Sequence, residues 1–160
     1  MQIDYHEYTI LIADDSVSNL EKTKYILERE AFNVITTPVG EELIPIVKTK
    51  SPDIILLALT RVNGEGVKIT QKLKSDPQTK LIPIIYLTTK VKYEEFAMAS
   101  QYEGVEFISK PPSKQELLTR LNNQLLLSES LRIIERQNEE LQNMVRAKDK
   151  LYSVIAHDLR

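Results

Sequence analysis

The sequence predicts a doubly wound α/β domain on a five-stranded parallel sheet, continued by one long C-terminal helix. Short apolar runs rich in branched residues alternate with segments of helical period. Those runs are nearly continuous instead of alternating apolar with polar, which is the pattern of strands covered on both faces. From Ser113 to Arg160 the chain contains neither glycine nor proline.

Taken in order, the first strand is expected at Thr9–Ala13 and a helix at about Ser18–Glu30. A second strand, Asn33–Thr36, leads to a helix at Glu41–Lys50. Pro45 falls inside it, where it removes a hydrogen bond and clashes with the preceding turn, so this helix should kink or start late. The third strand is Asp53–Leu57 and its helix Val67–Ser75. The fourth pair is Ile82–Leu87 and Tyr93–Tyr102, with Gly104 placed to serve as the C′ residue. Val105–Ile108 is the fifth strand, and Ser113-Lys114-Gln115-Glu116 has the spacing of a capping box that opens the last helix.

If continuous, that helix would extend roughly 70 Å at 1.5 Å per residue, too long to lie on one face of the domain. Its apolar residues recur with 4-3 spacing: Leu127, Leu131, Ile134, Leu141, Val145, Tyr152, Ile155 and Leu159, with polar Asn138 and Lys148 completing the series. This is a heptad seam. An amphipathic helix more often packs on its own domain, but four heptads exceed what this one could cover. A single Asn in a seam pairs best with its own copy in a parallel dimer, so the expected partner is a second copy of this chain, through Leu127–Leu159. The domain reading is therefore 1–124 globular and 125–150 coiled coil, with 151–160 left as a distinct C-terminal segment.

Composition narrows the function. Of 160 residues, 21 are basic and 23 acidic, for a net charge of −2. Bulk electrostatics thus give no reason to expect a nucleic-acid partner. The absence of cysteine removes disulfides and thiolate chemistry. The amino terminus has no leader pattern and no run is long enough to span a membrane, so the expectation is a cytoplasmic protein.

In a doubly wound sheet, ligands sit outside the carboxyl ends of the strands. Asp14 and Asp15 follow the first strand, Ala58 the third, Thr88 the fourth and Lys110 the fifth. All five should converge on one edge.

Four segments resemble the receiver domains of two-component response regulators, the CheY-like family: Ile10 to Ser16, Pro52 to Leu57, Ile82 to Thr88, and Phe107 to Pro111. The likeness covers about Thr9 to Gln124 and implies a flavodoxin-like sheet of order 2-1-3-4-5. It also implies an acid pair that, with a phosphoacceptor aspartate, holds Mg²⁺, a hard cation that prefers oxygen donors. By match, Asp15 would be the direct ligand, Asp14 its support and the Thr60 carbonyl a further donor. Lys110 would face the phosphoryl group and Thr88 donate to it. Thr88 and Phe107 match the family's switch pair, and Lys110-Pro111 a bond that is often cis there. The resemblance also implies a partner face made by the fourth helix, fifth strand and fifth helix.

Ala58 departs from the pattern, because it stands where the family has the phosphoacceptor. A methyl group neither accepts a phosphoryl group nor ligates a metal. The following segment, Thr60 to Gly66, keeps only an acid and the last glycine. Because the loop departs as well, natural degeneracy is favoured over a single deliberate Asp-to-Ala change. The expectation is that magnesium binds weakly or not at all. A competing reading makes Asp14, Asp15 and Lys110 a buried ion-pair network, with Thr88 and Phe107 ordinary structural residues.

Leu151 to Arg160 resembles the H-box that opens the dimerisation and phosphotransfer domain of sensor histidine kinases. The likeness makes His157 the phosphoacceptor and Asp158 its neighbouring acid, and assigns 151–160 to the start of that domain. No Gly-rich phosphate loop is present to hold ATP. The expectation is a non-phosphorylatable regulatory and dimerising module from the front of a larger kinase. Two rivals remain: a phosphorelay protein phosphorylated in trans on His157, and a stand-alone dimeric scaffold.

Overall fold

A computed structural model describes residues 2–59, 65–88 and 93–159. A short 3-10 turn, Tyr5–Glu7, precedes β1 (Thr9–Ala13), α1 (Val17–Arg29), β2 (Asn33–Thr37), α2 (Leu43–Lys50) and β3 (Ile54–Leu59). Then come α3 (Glu65–Ser75), β4 (Ile84–Thr88), α4 (Tyr93–Ser100), β5 (Val105–Ser109) and α5 (Lys114–Asp158). The strands are parallel and ordered β2-β1-β3-β4-β5, the expected flavodoxin-like order.

Alternation along each strand sorts the core into two layers. Ile10, Ile12, Ile54, Leu56, Ile85 and Leu87 face Leu27 of α1 and Leu117, Leu121 and Leu125 of α5. Leu11, Ala13, Ile55, Leu57, Ile84 and Tyr86 face α2, α3 and α4. Each fully buried leucine or isoleucine contributes about 1.5–3 kcal/mol by leaving water. This two-sided burial explains why the strands read as continuous apolar runs.

Local chemistry moves several boundaries. Pro45 is the third residue of α2, which starts at Leu43. There the missing N–H is one that a helix start leaves unpaired anyway, so the helix begins late instead of kinking. β4 begins at Ile84, two residues after the expected Ile82, because Pro83 has no N–H for the ladder and Ile82 N–H is used in a turn to Thr79 O at 3.1 Å. α4 stops at Ser100, so Gly104 is not its C′ residue. Gly104 instead takes φ +77° at the entry to β5, where its carbonyl accepts the Ile84 N–H at 2.8 Å.

The motif expected at Gly104 occurs at the end of α1, around Ala31. Phe32 N–H reaches Leu27 O at 3.1 Å and Ala31 N–H reaches Glu28 O at 3.0 Å, the two bonds of a Schellman motif. Ala31 holds φ 74° to make them. Leu27 and Phe32 both enter the core, which supplies the apolar contact that goes with the motif.

At the amino end of β4 the Lys74 amine donates to Lys80 O at 3.0 Å and Ile82 O at 2.9 Å. Burial pushes its pKa down from 10.5 to about 8, with the smaller influence of Glu103 in the opposite direction. The serine half of the expected capping box is present at the start of α5, where Ser113 Oγ accepts the Glu116 N–H at 3.1 Å.

The chain forms two compact units, Met1–Leu125 and Leu126–Arg160. In the second, every described residue from Leu131 to Leu159 is exposed. Leu131, Ile134, Leu141, Val145 and Ile155 remain 53%, 60%, 59%, 57% and 44% exposed. Among the described residues no helix is long and apolar enough to cross a membrane.

Candidate functional site at the strand ends

Strand register assembles the predicted edge. Ala13 pairs with Leu57, so Asp14 and Ala58 are the next residues in line on neighbouring strands. Leu59 pairs with Thr88, and Thr88 with Ser109, which places Lys110 one step beyond. The Lys110 N–H donates to Thr88 O at 3.1 Å, and the Lys110–Pro111 bond is cis.

Two positions differ from expectation. Ala58 lies within β3, paired with Leu87, and not beyond the strand; Thr88 is likewise the last residue of β4. The ladder runs on because β3 and β4 keep pairing past Leu57. Ala58 is fully buried in the same apolar cluster as Ile12, Leu56, Leu87 and Ile108. Its methyl group has neither lone pair nor charge to offer.

The acid pair is held by backbone N–H groups. Asp14 is 5% exposed, and its Oδ1 accepts the Ser16 N–H at 2.9 Å. Asp15 is exposed, and its Oδ1 accepts the Val39 N–H at 2.9 Å. Among the described residues no ion pair joins Lys110 to either carboxylate, so the buried ion-pair network is not formed. Asp15 stays in water, and the buried Asp14 carboxylate is offset by a neutral backbone donor instead of an ion pair.

Among the described residues these donors are too few for a magnesium cradle. Two carboxylates are present, each with an oxygen already engaged, and position 58 adds none. Among the described residues no group of three or more His, Cys, Asp or Glu side chains could hold a metal. Thr60, with 61–64, lies outside the described residues.

Thr88 is buried, and the half-buried Phe107 ring meets Tyr86 edge-on, with centroids 4.9 Å apart and planes at 85°. Tyr86 is the residue that sequence reasoning passed over. Its hydroxyl hydrogen-bonds to the Thr70 hydroxyl, and the two reach the Gly66 carbonyl at 3.1 and 2.9 Å. Each hydroxyl has one proton, so one serves Gly66 while the other closes the pair. The signal was a tyrosine inside an otherwise apolar strand, because a buried phenol needs a partner. On the opposite face, Arg120 Nη1 lies 3.6 Å from Glu106 Oε1 and ties α5 to β5.

His157 is exposed and Asp158 is the last residue of α5. Both belong to the second compact unit, whereas the strand-end residues belong to the first.

Residues 10–122 match the response regulator receiver domain family. The chain is 26% identical over 113 residues to protein PilH of Pseudomonas aeruginosa, covering 71% of this chain and 93% of that one. It is 28% identical over 137 residues to the alkaline phosphatase synthesis transcriptional regulatory protein PhoP of Bacillus subtilis, covering 85% of this chain and 56% of PhoP. It therefore spans little more than half of that longer relative. The solved signal receiver domain of a signal transduction histidine kinase from Syntrophus aciditrophicus superposes with a TM-score of 0.65 at 25% identity, covering 74% of this chain and 89% of that one. Sheet order and family match agree, and the chain belongs to the response regulator receiver family of two-component signalling.

Proposed function

We propose that this receiver domain works without accepting a phosphoryl group, as the regulatory and dimerising module of a histidine kinase. The observation that carries the reading is the apolar row on α5. A lone helix that leaves Leu131, Ile134, Leu141 and Val145 more than half exposed is only marginally stable, and a second copy is the simplest cover. Asn138 in the seam favours two parallel strands in register. The buried methyl of Ala58 supports an output that depends on dimer geometry and not on an acyl phosphate. Relay along the coil to His157 then needs two arrangements of similar energy. The likeness to a receiver domain from a histidine kinase agrees with such a parent.

Sedimentation of the whole chain should show a dimer that Leu141→Glu turns into monomer. Because the chain has no cysteine, Leu141→Cys should cross-link under mild oxidation only if the copies lie parallel and in register. A wild-type chain that stays monomeric at high concentration would sink the proposal. So would acetyl phosphate labelling of the receiver unit.

A second reading rests on the exposure of His157. By its H-box context, His157 would take a phosphoryl group in trans from the ATP-binding domain of another kinase, with Asp158 beside it handling the ring proton. Label transferred from ATP and lost in His157→Ala supports this reading; label retained in His157→Ala removes it.

A further inference from the structure

Lys148 occupies a seam position that a leucine would ordinarily fill. It is exposed, with its ammonium 5.5 Å from the centroid of the Tyr152 ring, one turn further along the same seam. That contact directs the charge along the seam toward Tyr152. Asp149 is the next residue. Adjacent residues on a helix do not face each other, and among the described residues neither Lys148 nor Asp149 forms an ion pair within its own chain.

In a parallel, in-register pair of helices, a side chain at this kind of seam position enters a hole bordered by the next residue of the facing helix. With Lys148 in the seam, that bordering residue is Asp149. Two-fold symmetry makes the arrangement occur twice in one layer. A lysine that opposes its own copy would repel it, and the carboxylate on each side of the layer removes that repulsion.

Resting on the dimer reading above, we propose that Lys148 and Asp149 of one copy pair crosswise with Asp149 and Lys148 of a second. The pairs form a charged layer that locks the parallel register close to His157. Asn138 sets register on the amino-terminal side of Val145, and this layer sets it on the carboxyl-terminal side. An antiparallel or slipped pairing leaves both lysines without the acid, so the layer selects against such alternatives.

The test is a charge swap in the whole chain, with dimer dissociation followed by sedimentation at low salt. Lys148→Glu alone and Asp149→Lys alone should each weaken the dimer by about fivefold or more, because each replaces two attractive pairs with repulsive ones. The double variant Lys148→Glu/Asp149→Lys should recover most of that loss, and rising salt should shrink all three differences. Both sites are exposed, so circular dichroism should report an unchanged fold. A dimeric wild type whose double variant is as weak as the two single losses combined overturns the lock and leaves the dimer reading standing. A wild type that never dimerises overturns both.

Discussion

Tyr86 and Phe107 stand edge to face, 4.9 Å between ring centroids and 85° between planes. Tyr86 is fully buried and held at its hydroxyl by Thr70 and the Gly66 carbonyl, whereas Phe107 is only half-buried. Removing the hydroxyl by Tyr86→Phe leaves Thr70 able to serve Gly66 alone, and should lower stability by about 1 kcal/mol in urea denaturation. Tyr86→Ala should cost about 3–5 kcal/mol and shift the Phe107 ring resonances, because it removes the surface the ring leans on.

Ala31 gives a prediction of the opposite sign. It adopts φ 74° to complete the end of α1, a conformation that a Cβ disfavours. Ala31→Gly keeps both backbone bonds and relieves the strain, less the extra entropy that glycine loses on folding. The expected gain is about 0.5–1 kcal/mol, read as a raised denaturation midpoint. A lowered midpoint would contradict it.

Ala58→Asp places a carboxyl in an apolar cluster beside Asp14. Lost hydration and a neighbouring like charge both raise the pKa of the new group above the usual carboxylate value. Its folded pKa then lies above its unfolded one, so the penalty is absent at low pH and grows as pH rises past about 4. Near neutrality the loss should be about 2–4 kcal/mol. Millimolar magnesium should leave the melting temperature of the parent protein unchanged.

Lys74 should leave a mark on stability at alkaline pH. Burial lowers its pKa from 10.5 to about 8, so between those values the folded chain binds fewer protons than the unfolded one. Linkage then makes this group's contribution rise with pH across that window. A neutral amine still has two N–H bonds for the Lys80 and Ile82 carbonyls, so the contacts survive deprotonation. Lys74→Met should lose those bonds and flatten the profile between pH 8 and 10.5. An unchanged slope in the variant would assign the pH dependence to other groups.

The sequence by itself determined the α/β class and the number of strands, because periodicity and punctuation are local properties of the chain. Pro45, the Ser113 capping box and the acid pair could each be placed from their own few neighbours. Tertiary structure alone decided the rest. The ladder between β3 and β4 carried Ala58 into the core, and Pro83 delayed β4. Backbone N–H groups of Ser16 and Val39, not Lys110, satisfied the two aspartates. Tyr86 found Thr70 and Gly66 on another element, a pairing no spacing rule encodes. Which hydroxyl meets which carbonyl depends on elements far apart in sequence coming together, and a periodic pattern fixes only the face on which they meet.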